Sequence, residues 1–218
     1  FTTYFGVPFC YFGPGYQDSF TLIHEIGHYY AECSTDTSWL SYDLCETHSQ
    51  GNEMLFLNYL GTVLDPQVYE ALEIGKLSTF IDTIVVAVLM DEFEETVYNL
   101  PEQVNYTAEE FDEIMHQIIR SYGFAEDDEY IRAYGDWLWR NVGINTPVYY
   151  LSYATSAMAS LNIYSQGKED YDAALEMYRI IQEEVDEDKN FTGTLEKAGL
   201  DSVFEEEAFI KLQGLFEG

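Results

Sequence analysis

Most of this chain places apolar residues three or four positions apart, which is the spacing of amphipathic helices. The first helix is predicted to begin at Asp18 or Ser19, either of which can cap it, and to run to about Cys33. A second helix is predicted over residues 42–59. Further helices are predicted at 66–74, 78–100, 107–122, 127–140, 147–164, 169–186 and 200–215, with a capping box formed by Thr107 and Glu110.

The start of the chain follows a different pattern, because residues 1–12 are rich in β-branched and aromatic side chains. This composition, followed by Gly13-Pro14-Gly15, predicts a strand and a tight turn. No internal repeat or low-complexity linker divides the chain, and 47% of its residues are hydrophobic. We therefore predict a mainly α fold with a small β element near the N-terminus, built as a single domain over residues 1–218.

Charge and cysteine content restrict the partners and the compartment. The chain has 9 Lys and Arg residues against 40 Asp and Glu residues, which gives a formal net charge of −31. Such a surface repels phosphate groups, so no nucleic acid and no membrane is predicted as a partner. The longest apolar run, Ile84 to Met90, is also too short to span a bilayer. Because Cys10, Cys33 and Cys45 lack paired spacing, we predict buried thiols and a reducing, cytoplasmic location.

The segment His24-Glu25-Ile26-Gly27-His28 carries the main chemical signal. On a helix, positions four apart lie on one face, so both imidazoles can reach one cation while Glu25 projects beside them. The same residues could also form an ordinary polar edge of a core helix. A hydrolytic zinc site usually has three protein ligands and one water, so the interpretation depends on a third ligand elsewhere.

The third ligand is not a His placed shortly after this motif. The metzincin pattern continues with Gly and then His, but Ala31 and Ser34 occupy those positions here. The second predicted helix instead contains a Glu-x-x-Ser-Gln-x-x-Glu sequence, formed by Glu46, Ser49, Gln50 and Glu53. The pairing of His-Glu-x-Gly-His with this second motif resembles the thimet oligopeptidase and oligoendopeptidase F family of zinc metallopeptidases.

The resemblance implies a specific metal site and a fold. His24, His28 and Glu46 would bind one Zn²⁺ per chain, and Glu25 would be the general base for the zinc-bound water. The fold would be that of a zincin-like metallopeptidase catalytic domain. Members of this family are longer than this chain, and their helical N-terminal half walls a deep channel that excludes folded proteins. We therefore expect residues 1–218 to be the C-terminal catalytic domain, with the N-terminal half absent and short unstructured peptides as substrates.

Two other interpretations stay open at this point. The protein could bind peptides without cleaving them, keeping the metal fold after losing its activity. The intact Glu25 argues against this alternative, since a binding module has no need for a general base. A metal-free helical scaffold is the other alternative, and it would leave His24, His28 and Glu46 as an unexplained coincidence.

Further residues are expected to support the metal ligands and the substrate. Asp43 or Glu53 could orient a ligating His through its second ring nitrogen, or either could be surface charge. In the family, a strand before the metal helix lines the channel and can pair with the substrate backbone. Tyr4, Gly6 and Val7 could have this role, although a simple core strand is equally compatible with the sequence.

A tyrosine-rich stretch, residues 147–154, resembles the family segment that brings phenol groups over the metal. Tyr150 and Tyr153 match it best, and a phenol donor there would stabilise the oxyanion of peptide hydrolysis. Tyrosines on an amphipathic helix can also be core residues. The family usually has a substrate-contacting His shortly before this segment, and residues 141–145 contain none.

Overall fold

The computed structural model describes residues 2–4, 7–9, 16–34, 40–101, 104–124, 146–183 and 190–216. The fold is mainly α with a small β element, as the spacing of apolar residues predicts. In chain order, its elements are β1 (Thr2–Tyr4), β2 (Val7–Phe9), α1 (Tyr16–Ser34), α2 (Tyr42–Val63), α3 (Pro66–Tyr98), α4 (Ala108–Ser121), α5 (Leu151–Glu169), α6 (Tyr171–Glu183), α7 (Phe191–Lys197) and α8 (Glu206–Gln213).

The β element consists of two short strands where the sequence predicts one. β1 and β2 pair antiparallel, with Tyr4 opposite Val7 and Thr2 opposite Phe9. A single strand over residues 1–12 is therefore wrong, because the chain reverses between Tyr4 and Val7. The predicted turn at residues 13–15 lies outside the described residues.

The chain divides into two compact units, and the first comprises residues 1–80 and 155–218. In this unit α1 packs on α2, and α2 also packs on α6. Gly27 lies at the crossing of α1 and α2, where a Cβ atom would be 2.5 Å from the carbonyl oxygen of His48 and 2.8 Å from the Cα of Ser49. Any side chain at Gly27 would therefore push the two helices apart, so glycine is required at this crossing.

Helix α2 begins as the sequence predicts and continues about one turn further. The side chain of Ser41 caps it by accepting a hydrogen bond from the backbone N–H of Leu44. A second link joins this helix to α1, since Nδ2 of Asn52 donates to the carbonyl oxygen of Ile23 at 2.7 Å. The helix therefore starts at a defined position relative to α1.

Helix α3 is continuous from Pro66 to Tyr98, whereas the sequence predicts two helices, 66–74 and 78–100. The expected break at residues 75–77 is wrong, because a glycine such as Gly75 weakens a helix without ending it. Leu77 and Phe80 are buried directly after this glycine and continue the apolar face through it. The side chains around the expected break thus lie on one uninterrupted helix.

The second unit comprises residues 81–154. Its core is formed by the C-terminal part of α3 and by α4, through Val86, Leu89, Met90, Phe93, Met115, Ile118 and Ile119. The capping box predicted for α4 is confirmed. The N–H of Thr107 donates to Oε2 of Glu110 at 2.8 Å, and the N–H of Glu110 donates to Oγ1 of Thr107 at 3.3 Å.

Helix α5 begins at Leu151, four residues later than the predicted start at Pro147. Val148 has a φ of 62°, in the left-handed region that β-branched residues rarely adopt. Its N–H donates to Oε2 of the buried Glu94 at 2.5 Å, and burial raises the pKa of this carboxyl group. The strained turn at Val148 excludes a helix over the preceding residues and explains the later start.

The C-terminal helices and the cysteines differ in part from what the sequence predicts. The predicted helix at 169–186 corresponds to α6, while α7 is not predicted and α8 is shorter than the predicted 200–215. The predicted burial of the cysteines is wrong for Cys33, which is exposed, and Cys45 is half-buried. Cys10 and the predicted helix at 127–140 lie outside the described residues. Among the helices that the structure describes, none is long and apolar enough to cross a membrane.

Candidate metal centre

The candidate metal centre is formed by His24 and His28 from α1 and Glu46 from α2. One ligand atom from each of these residues lies within 4.8 Å of the other two. Oε2 of Glu46 is 3.7 Å from Nε2 of His24 and 3.9 Å from Nε2 of His28. The predicted set of three ligands is therefore brought together by two helices that cross at Gly27.

The spacing of these three groups fits a zinc ion. Zinc binds imidazole nitrogen and carboxylate oxygen at about 2.0–2.2 Å, so two ligands of one tetrahedral ion are about 3.4 Å apart. The distances of 3.7 and 3.9 Å between Glu46 and the two rings are close to this value and too long for hydrogen bonds. Two imidazoles and one carboxylate are also a donor set that zinc hydrolases use.

The ring of His28 is suited to binding a cation. Burial, with the neighbouring rings of His24 and His48, lowers the pKa of His28 to about 3. The imidazole is therefore neutral at pH 7 and has a lone pair available for a metal. The rings of His24 and His28 meet edge to face, with their centroids 4.9 Å apart.

The ring of His24 is held by a second carboxylate. Oε1 of Glu53 lies 2.8 Å from Nδ1 of His24, so a proton on Nδ1 leaves the lone pair on Nε2, the nitrogen nearer Glu46. Burial lowers the pKa of His24, but the hydrogen bond and charge of Glu53, with the charges of Glu46 and Glu25, outweigh it and raise the pKa. This arrangement is the one predicted for an orienting carboxylate.

Asp43, the other predicted orienting carboxylate, has a different partner. Its Oδ1 accepts a hydrogen bond from Oγ1 of Thr155 on α5 at 2.5 Å. Of the two predicted carboxylates, Glu53 contacts a His and Asp43 does not. Asp43 does not contact a His because it lies in the first turn of α2, where its carboxylate is hydrogen-bonded to Thr155.

Lys76 is a functional candidate that the sequence prediction missed. Its Nζ forms an ion pair with Oε2 of Glu53, the oxygen that does not contact His24. The ammonium group lies 4.6 Å from the ring centroid of Phe20 and 5.2 Å from that of Phe80. One feature of the sequence could have pointed to Lys76: it is the first Lys or Arg in a strongly acidic chain.

The predicted general base, Glu25, lines a cavity of about 360 Å³ beside the cluster. His24, Glu53 and Lys76 line the same cavity, together with Phe20, Thr21, Gly75 and Thr79. Solvent or a small part of a ligand can therefore reach Glu25 and the ring of His24 from one side.

His48 and Cys45 lie near the cluster and are not part of it. Nε2 of His48 is 3.2 Å from the carbonyl oxygen of Ile181, and burial lowers the pKa of this buried imidazole to about 4. Burial, followed by the charge of Glu46, raises the pKa of the Cys45 thiol to about 11, so the thiolate that metals prefer is absent at pH 7.

The remaining predicted site residues are only partly described. Tyr4 and Val7 lie opposite one another in the two-stranded sheet, and Gly6 is outside the described residues. Tyr150 packs against the apolar core of the second unit. The hydroxyl oxygen of Tyr153 is 2.7 Å from that of Tyr149, so these two phenols share a hydrogen bond. Residues 141–145, which lack the family His, also lie outside the described residues.

No protein-family model matches the sequence, and no curated protein matches it either. Solved structures do match. A protein provisionally assigned as an oligoendopeptidase F matches with a TM-score of 0.73 and 24% identity, over 92% of this chain and 36% of that one. A second provisional oligoendopeptidase F, from Bacillus anthracis, matches with a TM-score of 0.70 and 21% identity, over 94% and 34% of the two chains.

A PZ peptidase A in complex with an inhibitor matches with a TM-score of 0.75 and 24% identity. The match covers 93% of this chain and 37% of that one, so the chain spans about a third of the length of these solved structures. At such identities the likeness concerns the fold. The chain has the helical, zincin-like fold that these oligoendopeptidase F and PZ peptidase structures share.

Proposed function

We propose that this protein is a zinc-dependent metallopeptidase of the oligoendopeptidase type, which hydrolyses peptide bonds in short unstructured peptides. The observation that carries the proposal is the convergence of His24, His28 and Glu46 from two helices, with Glu25 beside them on an accessible cavity. The fold shared with oligoendopeptidase F and PZ peptidase structures supports the same reaction class.

The three converging residues would hold one zinc ion per chain. When bound there, zinc would polarise the scissile carbonyl and acidify the attacking water. Glu25 would take the proton of that water and pass it to the leaving amine. Glu53 would keep the proton of His24 on Nδ1, so that Nε2 stays directed at the cluster.

Other chain segments would bind the substrate and the developing negative charge. We assign a hydrogen-bonding role toward the peptide backbone to Tyr4, Gly6 and Val7, near the start of the chain. Tyr150 or Tyr153 would donate a hydrogen bond to the carbonyl oxygen as it gains charge. The greater length of the matching structures supports the further proposal that an N-terminal half of the same polypeptide confines the peptide, and we propose a cytoplasmic location.

Metal analysis of the purified protein, with a peptide-cleavage assay before and after chelation, tests the proposal. We expect about one zinc per chain, and its loss in His28→Ala and in Glu46→Ala, because a site with three protein ligands tolerates no missing ligand. His116→Ala, in a helix of the second unit, is the matched control and should keep the metal. Full zinc occupancy in both ligand variants would disprove the site.

The role of Glu25 separates a peptidase from a protein that binds peptides without cleaving them. Glu25→Gln should keep the zinc and the fold but lower turnover by about 10²–10⁴-fold, since the amide cannot accept the proton. Glu32→Gln, an exposed position on the same helix, should leave turnover unchanged. Undiminished turnover in Glu25→Gln would contradict the assignment, and zinc binding without any hydrolysis in the wild type would favour the binding protein.

The tyrosines need a separate test, because Tyr150 packs on an apolar core. An oxyanion donor replaced by Phe should lose about a hundredfold or more in turnover at nearly constant stability. A core tyrosine predicts the opposite, a lower melting temperature with nearly normal turnover. If neither Tyr150→Phe nor Tyr153→Phe slows the enzyme by even about tenfold, Tyr149 becomes the next candidate.

A further inference from the structure

Lys76 is the one described cation that contacts the carboxylate behind a proposed zinc ligand. We infer that Lys76 is a positioning residue, which holds Glu53 and thereby fixes the ring of His24 in its metal-binding orientation. This inference rests on the proposed zinc site. It adds a third helix, α3, to the two that supply the ligands.

The geometry of Glu53 is the first reason. Its two carboxylate oxygens have different partners, because Oε1 contacts Nδ1 of His24 at 2.8 Å and Oε2 pairs with Nζ of Lys76. A carboxylate held at only one oxygen can rotate about its terminal bond, whereas one held at both oxygens has a fixed plane. The direction of the hydrogen bond to His24 therefore depends on the contact with Lys76.

The surroundings of Lys76 are the second reason. A lysine side chain normally has large rotamer entropy and an ammonium group that turns freely. Here the ammonium lies over the faces of Phe20 and Phe80, and both rings are buried. Cation–π attraction on these faces and the ion pair with Glu53 restrict the ammonium to one place.

An ordinary structural ion pair would have different consequences. Such a pair would affect folding stability, and apolar residues of similar volume could often replace it without loss. Lys76 and Glu53 also line the cavity that contains Glu25, and the pair directly adjoins His24. Loss of positioning should therefore appear in metal affinity and not in stability alone.

Zinc affinity, measured by competition with a chelator, gives a readout that does not depend on hydrolysis. Lys76→Met should weaken zinc binding by about 10–100-fold, as is typical when a group that orients a ligand is lost. Lys76→Arg keeps the charge and should recover most of the affinity. Lys168→Met removes a lysine that also pairs with a glutamate, Glu73, and should change zinc affinity by less than about twofold.

The sign of the change makes this test decisive. Removing a positive charge near a divalent cation would by itself tighten metal binding. A weaker affinity in Lys76→Met therefore reports lost positioning, and an unchanged or tighter affinity overturns the inference. The visible absorption spectrum of the cobalt-substituted protein should also change in Lys76→Met, because the geometry of the ligand ring changes.

A double-mutant cycle shows whether Lys76 acts through Glu53. Glu53→Gln alone should weaken zinc binding, and adding Lys76→Met to it should weaken the binding no further. The double variant also leaves no charge unpaired, so it provides a folded protein if Lys76→Met alone unfolds. Additive losses would mean that Lys76 acts by another route and would overturn the inference.

The outcomes also separate this inference from the proposed function. A wild type that binds zinc and cleaves peptides, together with an unaffected Lys76→Met, contradicts the role of Lys76 alone. A wild type that binds zinc but cleaves no peptide contradicts the proposed activity, while the affinity measurements still decide the role of Lys76. A wild type without zinc affinity removes both.

Discussion

Two lysine–glutamate pairs in the described part of the first unit have nearly the same local chemistry. Lys76 pairs with Glu53, and Lys168 pairs with Glu73 at 2.6 Å. Each ammonium group lies over two aromatic rings, those of Phe20 and Phe80 in the first case and those of Tyr69 and Tyr164 in the second. The pairs differ in burial, since the lysine and glutamate side chains are 13% and 8% exposed in the first pair but 46% and 19% exposed in the second.

The pairs also differ in how the carboxylate distributes its contacts. Glu53 uses one oxygen for the lysine and the other for His24. Glu73 uses the single oxygen Oε1 for Lys168, Tyr69 and Tyr164. The carboxylate of Glu53 bridges a cation to a proposed metal ligand, whereas that of Glu73 accepts all three hydrogen bonds at one oxygen. An ion pair seen alone therefore does not indicate function; the partner of the second oxygen does.

The largest difference between the pairs is expected in stability. Glu53→Gln leaves the largely buried ammonium group of Lys76 without its counter-charge. Losing one partner of a buried ion pair costs about 3–5 kcal/mol of unfolding free energy. In Glu73→Gln, Lys168 is half-exposed, so water can solvate its charge. The free energy of unfolding should therefore fall by only about 1 kcal/mol. Urea unfolding of the zinc-free protein measures both. Equal losses would show that burial does not distinguish the two pairs.

How well the sequence predicts this arrangement depends on how far apart in the chain the contacting residues are. The pairing of His24 with His28 is predictable from helix periodicity, because positions four apart lie on one helix face. Glu46 and Glu53 lie on a different helix, and they were expected near the two His residues only because the second motif resembles that of the oligopeptidase family.

Lys76 was not predicted because its contact with Glu53 joins α3 to α2 across the fold. No periodicity encodes such a contact, and the break expected at residues 75–77 put Lys76 in a loop instead of a helix. The late start of α5 was missed for a similar reason. The turn at Val148 depends on Glu94, 54 residues earlier in the chain.

The second expected difference is in zinc affinity. Glu53→Gln should weaken zinc binding by about 10–100-fold, or about 1.4–2.7 kcal/mol, because the amide is a weaker acceptor for the Nδ1 proton of His24. Glu73→Gln should leave the affinity unchanged, as this carboxylate contacts no proposed ligand. Chelator competition on both variants provides the measurement. A similar loss in both would indicate an effect of overall charge, since each variant removes one negative charge.

The smallest expected effect is the pH dependence of the contribution of Glu73 to stability. Burial raises the pKa of Glu73, but hydrogen bonds from Lys168, Tyr164 and Tyr69 outweigh it and leave the pKa below its ordinary value. A carboxyl group with a lowered pKa in the folded state favours folding above its ordinary pKa of about 4.3. That contribution is lost as the pH falls through the lower pKa of the folded state.

Glu73→Gln should therefore be less stable than the wild type by about 1 kcal/mol near pH 7, and the difference should shrink below about pH 4. Glu70→Gln, an exposed position on the same helix, controls for the loss of one negative charge. Urea unfolding of the three proteins between about pH 3.5 and 7 gives the two differences. A deficit in Glu73→Gln that stays constant over this range would mean that the neighbours of Glu73 do not favour its ionised form. The second pair would then be stabilised by packing of Tyr69, Tyr164 and the lysine stem, and only the pair at Glu53 would depend on charge.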